Sequence, residues 1–353
     1  MEKGEKEMKK LFACVLSFSL FLLGSVDSRA SGPTKEDPLT LTFTSMYMPT
    51  HAIIKDGIVP FAEELKEKSG GRLLLEIFNP NTLCPDTENY DCVKNGVVDM
   101  TVTVPSVTPG KFPIAAVSEM PFLFDSCEES TYATYKAYTE IPEIADEFNE
   151  TKMLAVFGSA PLQVHTAKKE IKTIDDVKGL RLACVSTAVQ PIFSKLGAAV
   201  FAMPGTDLYL ALQRGQIDGA CIPNAFMTST KTYEVAKKTC RMNFMTCSQI
   251  LVINKDVFNS LPADLQQVLL DLTGEAFSMK VGKAIDVSAD EDMKTMKQHG
   301  QVESSMAEAE ILKAREATTS LVDEWKEKAA AAGAGDPDAI YRKLVGYAEG
   351  YVN

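Results

Sequence analysis

Apolar and polar residues alternate through "LTLTFTSMYMP" (39–49), the period of a strand with one buried face. The next segment, "AIIKDGIVPFAEELKEKSGG", changes to a helical period and stops at Gly70 and Gly71. "RLLLEIF" predicts a second strand and "NPN" a turn. Two short strands follow around Gly158 in "AVFGSAPLQVHTA", and "IDDVKGLRLACVS" predicts a turn leading into a strand. "AVQPIFSKLGAAVFAMP" predicts a helix and then a strand, and "QILVINKDVF" an apolar strand. One long helix is predicted from "SLPADLQQVLLDL" to "MKTMKQHG", with Ser260 as its cap and Pro262 in its first turn. "AAAAGAGDPDA" predicts a linker before a short terminal helix.

One pattern occurs twice. "YDCVKNGVVDMTVTVP" begins at Tyr90 and "YLALQRGQIDGACIP" at Tyr209. In both, a glycine (Gly96, Gly215) follows an amphipathic turn of helix. An aspartate (Asp99, Asp218) comes three residues later, then an apolar run and a proline (Pro105, Pro223). The glycine suits a helix stop, and the aspartate opens a buried strand. In open α/β sheets ligands bind beyond the carboxyl ends of strands. Two copies, about 120 residues apart, therefore predict two α/β lobes facing each other across a cleft.

Composition narrows the function. The chain has 353 residues, enough for two cores, with 45% hydrophobic and 24% charged residues. A net charge of -12 argues against nucleic acid and anionic membrane as partners, and a single Trp argues against a sugar site of stacked indoles. At the N-terminus "MKK" precedes the apolar "LFACVLSFSLFLLG" and the small residues of "SRA". This predicts a signal peptide over 1–30, cut after Ala30, with translation starting at Met1 or Met8. Lipidation at Cys14 is disfavoured, because that cysteine stands at the front of the apolar stretch. Export permits disulfides. Seven cysteines remain after cleavage, so at least one thiol stays unpaired in a monomer; Cys84–Cys92 and Cys240–Cys247 are near enough in sequence to pair. Three scattered histidines and no CxxC give a zinc site little support, and no other cofactor is implied.

"IDDVKGLRLACVS", "LGAAVFAMPGTDLYLALQRGQIDGACIPN", "KTYEVAKK" and "SLPADLQQVL" resemble the DctP-like solute-binding proteins of TRAP (tripartite ATP-independent periplasmic) transporters. So do "PTHAI", "FAEELKEKSGGRLLLEIF", "PGKFP" and "MPFLF". The likeness implies a bilobed periplasmic-binding-protein fold, with a ligand cleft between two α/β lobes and a long helix spanning both. It implies lobe I over 37–158 plus 250–288, lobe II over 159–249 plus 289–320, and C-terminal helices over 321–353. It implies a monomeric, non-enzymatic receptor that hands a small organic solute to small and large integral membrane permease subunits, for uptake driven by an ion gradient.

The departures from the family bear on the ligand. Receptors for carboxylates carry an Arg where this chain has Ala183, an Asn where it has Ile222, and a second Arg near Gln163. Without the guanidinium fork, a small oxyanion is expected, such as a short sulfonate (isethionate, for example) or a hydroxy acid; a neutral or amino solute is the alternative. Candidate ligand-binding residues at strand ends are Thr50, His51, Tyr90, Gln163, Ser186, Thr187, Asn224 and Phe226, with Arg181 one pleat behind Ala183. A binding protein for an ATP-driven importer or a sensor is a second alternative. An exported enzyme pairing Cys184 or Cys221 with His165 is a third, disfavoured because no orienting group or oxyanion loop accompanies them.

Overall fold

The structure is a computed structural model that describes residues 32–108 and 110–351. The expected signal peptide, with Met8 and Cys14, lies outside the described residues. Two sheets form the frame. The first has the order β2-β1-β3-β10-β4, built from β1 (Leu39–Ser45), β2 (Leu73–Ile77), β3 (Met100–Thr103), β4 (Thr151–Gly158) and β10 (Ser248–Asn254). The second has the order β11-β9-β5-β8-β6-β7. Its strands are β5 (Gln163–Thr166), β6 (Arg181–Cys184), β7 (Ala199–Ala202), β8 (Gly219–Ile222), β9 (Lys238–Arg241) and β11 (Val302–Ser305). Strands β1, β2 and β3 run parallel, as do β6, β7 and β8. The strands that arrive from the other lobe are antiparallel to their neighbours: β10 against β3 and β4, β5 against β8 and β9.

The repeated pattern has the same structural job in each lobe. Gly96 (φ 71°) and Gly215 (φ 65°) end their helices in the left-handed region. The same two closing bonds follow in each. Gly96 N–H donates to Val93 and Val97 N–H to Cys92; Gly215 N–H donates to Leu212 and Gln216 N–H to Ala211. Each aspartate then accepts the backbone N–H opposite it on the neighbouring parallel strand. Asp99 takes that of Thr42 (2.7 Å) and Asp218 that of Arg181 (2.9 Å).

Three connections join the lobes. Two are chain crossovers, 159–162 and 242–247, which bond to each other. Ser159 N–H donates to the Cys247 carbonyl (2.8 Å), Leu162 N–H to that of Met245 (2.7 Å), and Cys247 N–H to Ser159 Oγ (2.9 Å). The third is the long helix Gly274–Gln298. Its Asp286 accepts the N–H groups of Cys127 (2.9 Å) and Glu128 (2.8 Å), capping the lobe I helix Cys127–Glu140. Six residues on, Asp292 accepts from Thr228 Oγ1 (2.6 Å) on the lobe II helix Asn224–Ser229.

The helical stretch expected from Ser260 onward is one long bent helix, running as Ala263–Asp271 and Gly274–Gln298, with the separate short helix Lys255–Ser260 ahead of it. Ser260 Oγ bonds back to the Val257 carbonyl (2.7 Å) instead of capping, and Pro262 takes the cap position with ψ 147°. Gly274 (φ 78°) makes the bend, where Thr273 Oγ1 bonds the Leu269 carbonyl (2.8 Å). Cys84 and Cys92 are disulfide-bonded, with Cα atoms 6.5 Å apart, whereas Cys240 and Cys247 are free and buried. Among the described residues no helix is long and apolar enough to cross a membrane.

Candidate functional site

The carboxyl ends of β1, β3, β6 and β8 converge between the lobes, as parallel strands of two facing sheets must. There they enclose an inner pocket of about 50 Å³, which widens into a mouth of about 420 Å³. Met46, Tyr47, Val107, Val185 and Phe226 line both parts. The inner pocket is largely apolar: Val104, Leu162, Ile222 and Ile285 form much of its wall. No lysine or arginine lines the pocket or its mouth among the described residues, and Asp86 at the mouth is the single carboxylate.

The polar groups facing the inner pocket are neutral. His51 is buried, and desolvation lowers its pKa to about 4. Its Nδ1 accepts the Ile53 N–H (3.3 Å), which leaves the proton on Nε2. The Tyr47 ring lies 4.5 Å from the imidazole, and burial holds its phenol well above the usual value. Gln249 Nε2 donates weakly to the Gly158 carbonyl (3.4 Å), and its buried Oε1 has no partner. These groups can donate or accept hydrogen bonds around an apolar solute.

Direct hydrogen bonds close the cleft. Ser106 Oγ of lobe I and Ser186 Oγ of lobe II are 2.8 Å apart, and Thr187 Oγ1 donates to the Ser106 carbonyl (2.8 Å). Behind this bridge stands Glu119, 2% exposed. The hydroxyls of Ser106, Ser186 and Ser248 and the Ser248 N–H lie around its carboxyl, but neither carboxyl oxygen has a partner of hydrogen-bond geometry. Burial therefore prevails over the pull of those hydroxyls and raises the Glu119 pKa to about 7.

Four of the nine residues singled out from the sequence, His51, Ser186, Thr187 and Phe226, line the pocket or its mouth. Asn224 stands beside it at the start of its helix, with Oδ1 buried and unpartnered. The other four lie elsewhere. Thr50 is exposed on the turn after β1. Tyr90 is fully buried inside lobe I, its ring edge-on to Phe112 at 4.9 Å. The Gln163 amide is used up within the crossover: Oε1 accepts from Met242 N–H (2.8 Å) and Asn243 N–H (3.2 Å), and Nε2 donates to Asn243 Oδ1 (2.6 Å). Arg181 does not reach past Ala183. It lies half-exposed at the opposite end of β6, paired with Asp218 (2.8 Å). Sequence reasoning passed over Tyr47, Gln249 and Glu119. Glu119 had one legible signal, an acid set between apolar residues in "AAVSEMPFLF".

The disfavoured thiol–imidazole alternative has no geometric basis. His165 is fully buried with both ring nitrogens occupied, Nδ1 by Thr239 Oγ1 (2.9 Å) and Nε2 by the Ile222 carbonyl (3.0 Å). Burial raises the Cys184 pKa to about 12 and that of Cys221 well above its usual value, so neither thiol is activated.

The profile of DctP, bacterial extracellular solute-binding protein family 7, matches residues 44–328. A TRAP solute-binding protein from Rhodoferax ferrireducens, solved with copurified benzoate, is 25% identical. It superposes with a TM-score of 0.84 over 88% of this chain and 98% of its own. A marine metagenome TRAP solute-binding protein specific for aromatic acid ligands, solved with 3-hydroxybenzoate, is 26% identical, with a TM-score of 0.84 over 90% of this chain and 99% of its own. The 2,3-diketo-L-gulonate-binding periplasmic protein of Escherichia coli is 26% identical over 61% of this chain and 66% of its own.

Proposed function

The chain belongs to the DctP family of TRAP extracytoplasmic solute-binding proteins, a family of receptors and not of enzymes, and from that premise we propose that its cleft takes a small organic acid with an apolar, preferably aromatic, body. The receptor works in the periplasm and hands its solute to the small and large membrane subunits of a TRAP permease. Lobe closure is the transport-competent signal, because a solute that touches both lobes favours the closed population.

One observation carries the ligand class: the inner pocket is walled by aliphatic and aromatic side chains from both lobes and offers only neutral hydrogen-bonding groups. The relatives solved with benzoate and 3-hydroxybenzoate support the same reading. In this chain Ala183 and Ile222 are buried and apolar, so the acid group is met by Tyr47, His51 and neighbouring hydroxyls in place of a guanidinium. A short sulfonate finds no support in so apolar a lining. A neutral solute is the second reading, favoured by the missing cation.

Calorimetry with benzoate, 3-hydroxybenzoate, mandelate, benzamide, isethionate, succinate and malate tests this. An aromatic monoacid should bind most tightly. Succinate and malate should bind at least about a hundredfold more weakly, roughly 2.7 kcal/mol, since a second ionised group is buried without a partner. Benzamide binding as well as benzoate would move the assignment to the neutral reading. Isethionate or a dicarboxylate binding more tightly than every aromatic acid would overturn it.

A further inference from the structure

Ser106 faces a second cavity, of about 370 Å³, while its bridging partner Ser186 faces the inner pocket. Three parts of the molecule wall this cavity: the lobe I segment after β3 (Pro105, Phe112), the lobe II helix Val189–Lys195 (Pro191), and the C-terminal helix Ser320–Ala331 (Leu321, Trp325). Its lining is mostly apolar, and its size is that of a small-molecule site. Glu119 lines it, with both carboxyl oxygens buried and unpartnered.

We propose that this cavity is a second ligand site, for a small organic cation such as an amine with an apolar body, whose charge is met by Glu119. The chemistry selects the class. An unpartnered buried carboxylate is costly and is relieved by a proton or a cation. Aromatic walls at Trp325, Phe112 and Tyr138 favour a cation over an anion or a neutral polyol. The other titratable groups facing Glu119 do not supply that charge. Tyr47, Tyr138 and Cys247 are neutral, all pushed upward in pKa by burial. Two further charged residues line the cavity: Glu324, paired with Lys195 (2.7 Å), and Lys328, which makes no ion pair with Glu119. A bound cation also favours the ionised form of Glu119, which burial otherwise keeps protonated up to about pH 7. Binding therefore releases a proton near neutrality and strengthens with rising pH.

Trp325 is the only tryptophan in the chain, so intrinsic fluorescence reports on this wall directly. The experiment titrates the exported full-length protein with benzylammonium at about pH 6 and about pH 8, with benzyl alcohol as the neutral isostere. A saturable fluorescence change is expected with benzylammonium, several-fold tighter at the higher pH and at least about tenfold weaker or absent with benzyl alcohol. Glu119→Gln should weaken benzylammonium at least about tenfold and abolish the pH dependence. No saturable response up to about 10 mM, an equal response to benzyl alcohol, or an affinity independent of pH in the wild-type protein would each overturn the proposal, whether or not the variant folds. The titration is repeated with benzoate saturating the interlobe cleft: an unchanged benzylammonium response is expected, and its loss would place the amine in the cleft and overturn the proposal.

Discussion

Asp99 and Asp218 occupy equivalent places, but removing them should not cost the same. Asp99 is partly buried and accepts both the N–H and the hydroxyl of Thr42 (2.7 and 2.8 Å), so Asp99→Ala should cost about 1.5–3 kcal/mol. Asp218 shares its charge with an Arg181 that is half in solvent, and Asp218→Ala should cost about 1 kcal/mol or less. Urea denaturation of the two variants compares them directly. Buried titrating groups set the response to pH. His51 and His165 both have folded pKa values near 4, so the unfolded chain takes up their protons first, and stability falls as pH drops from about 6.5 to 4. Glu119 acts in the opposite sense. Its folded pKa of about 7 lies above its unfolded value, and stability falls as pH rises from about 4.5 to 7. Glu119→Gln should therefore be more stable than the wild type at about pH 8, by up to roughly 3 kcal/mol, and little changed at about pH 5. Equal urea midpoints at about pH 8 would show that the carboxylate is not stranded. The residues that line the cleft were legible where they fall on the loop or helix turn just beyond a strand's carboxyl end, as His51, Ser186, Thr187 and Phe226 do. Gln163, Tyr90 and Arg181 were not, because their roles depend on partners distant in sequence: Asn243, Phe112 and Asp218.

At the level of elements, the alternation of helices and strands was legible because each apolar run has its own period and its own stop. Strands β9 and β11 were not, since "KTCR" and "VESS" are short and polar and exist through pairing with strands distant in sequence, β9 with β5 and β11 with β9. The bend before Gly274 was hidden by a helical period that continues on both sides of it. Gly282 carries a packing constraint that propensity alone would misjudge. It sits where the long helix crosses the helix Cys127–Glu140, and a Cβ there would lie 2.5 Å from Thr131 Oγ1. That hydroxyl donates no slack, because it accepts the N–H of Gly158 (2.9 Å) at the end of β4. Gly282→Ala should thus destabilise the protein by about 1–3 kcal/mol, although alanine favours a helix by about 1 kcal/mol. Thermal unfolding checks the sign: a raised midpoint would mean that the two helices separate freely.

For the whole molecule, the bridge of Ser106, Ser186 and Thr187 holds the lobes together at a point far from the crossover strands in sequence. Thr187→Val keeps the shape and removes the hydroxyl that donates to Ser106. The variant should have a larger radius of gyration in solution than the wild type without added solute, and the difference should vanish when solute saturates the cleft. Equal radii without solute would mean that the crossovers, and not the bridge, set the closed form. The strand order of lobe I has a further consequence, for the order of folding. Strand β10 lies between β3 and β4, yet it is made about ninety residues after β4, with the β5–β9 part of lobe II in between. A chain emerging on the far side of the membrane from its N-terminus must hold β3 and β4 with open edges until residue 254 has followed. During that interval lobe I is exposed to edge-to-edge association. Fragments ending near residue 247 should accordingly be digested throughout 39–158 while the segment around β5, β6 and β8 resists, and extension to residue 298 should restore protection to both.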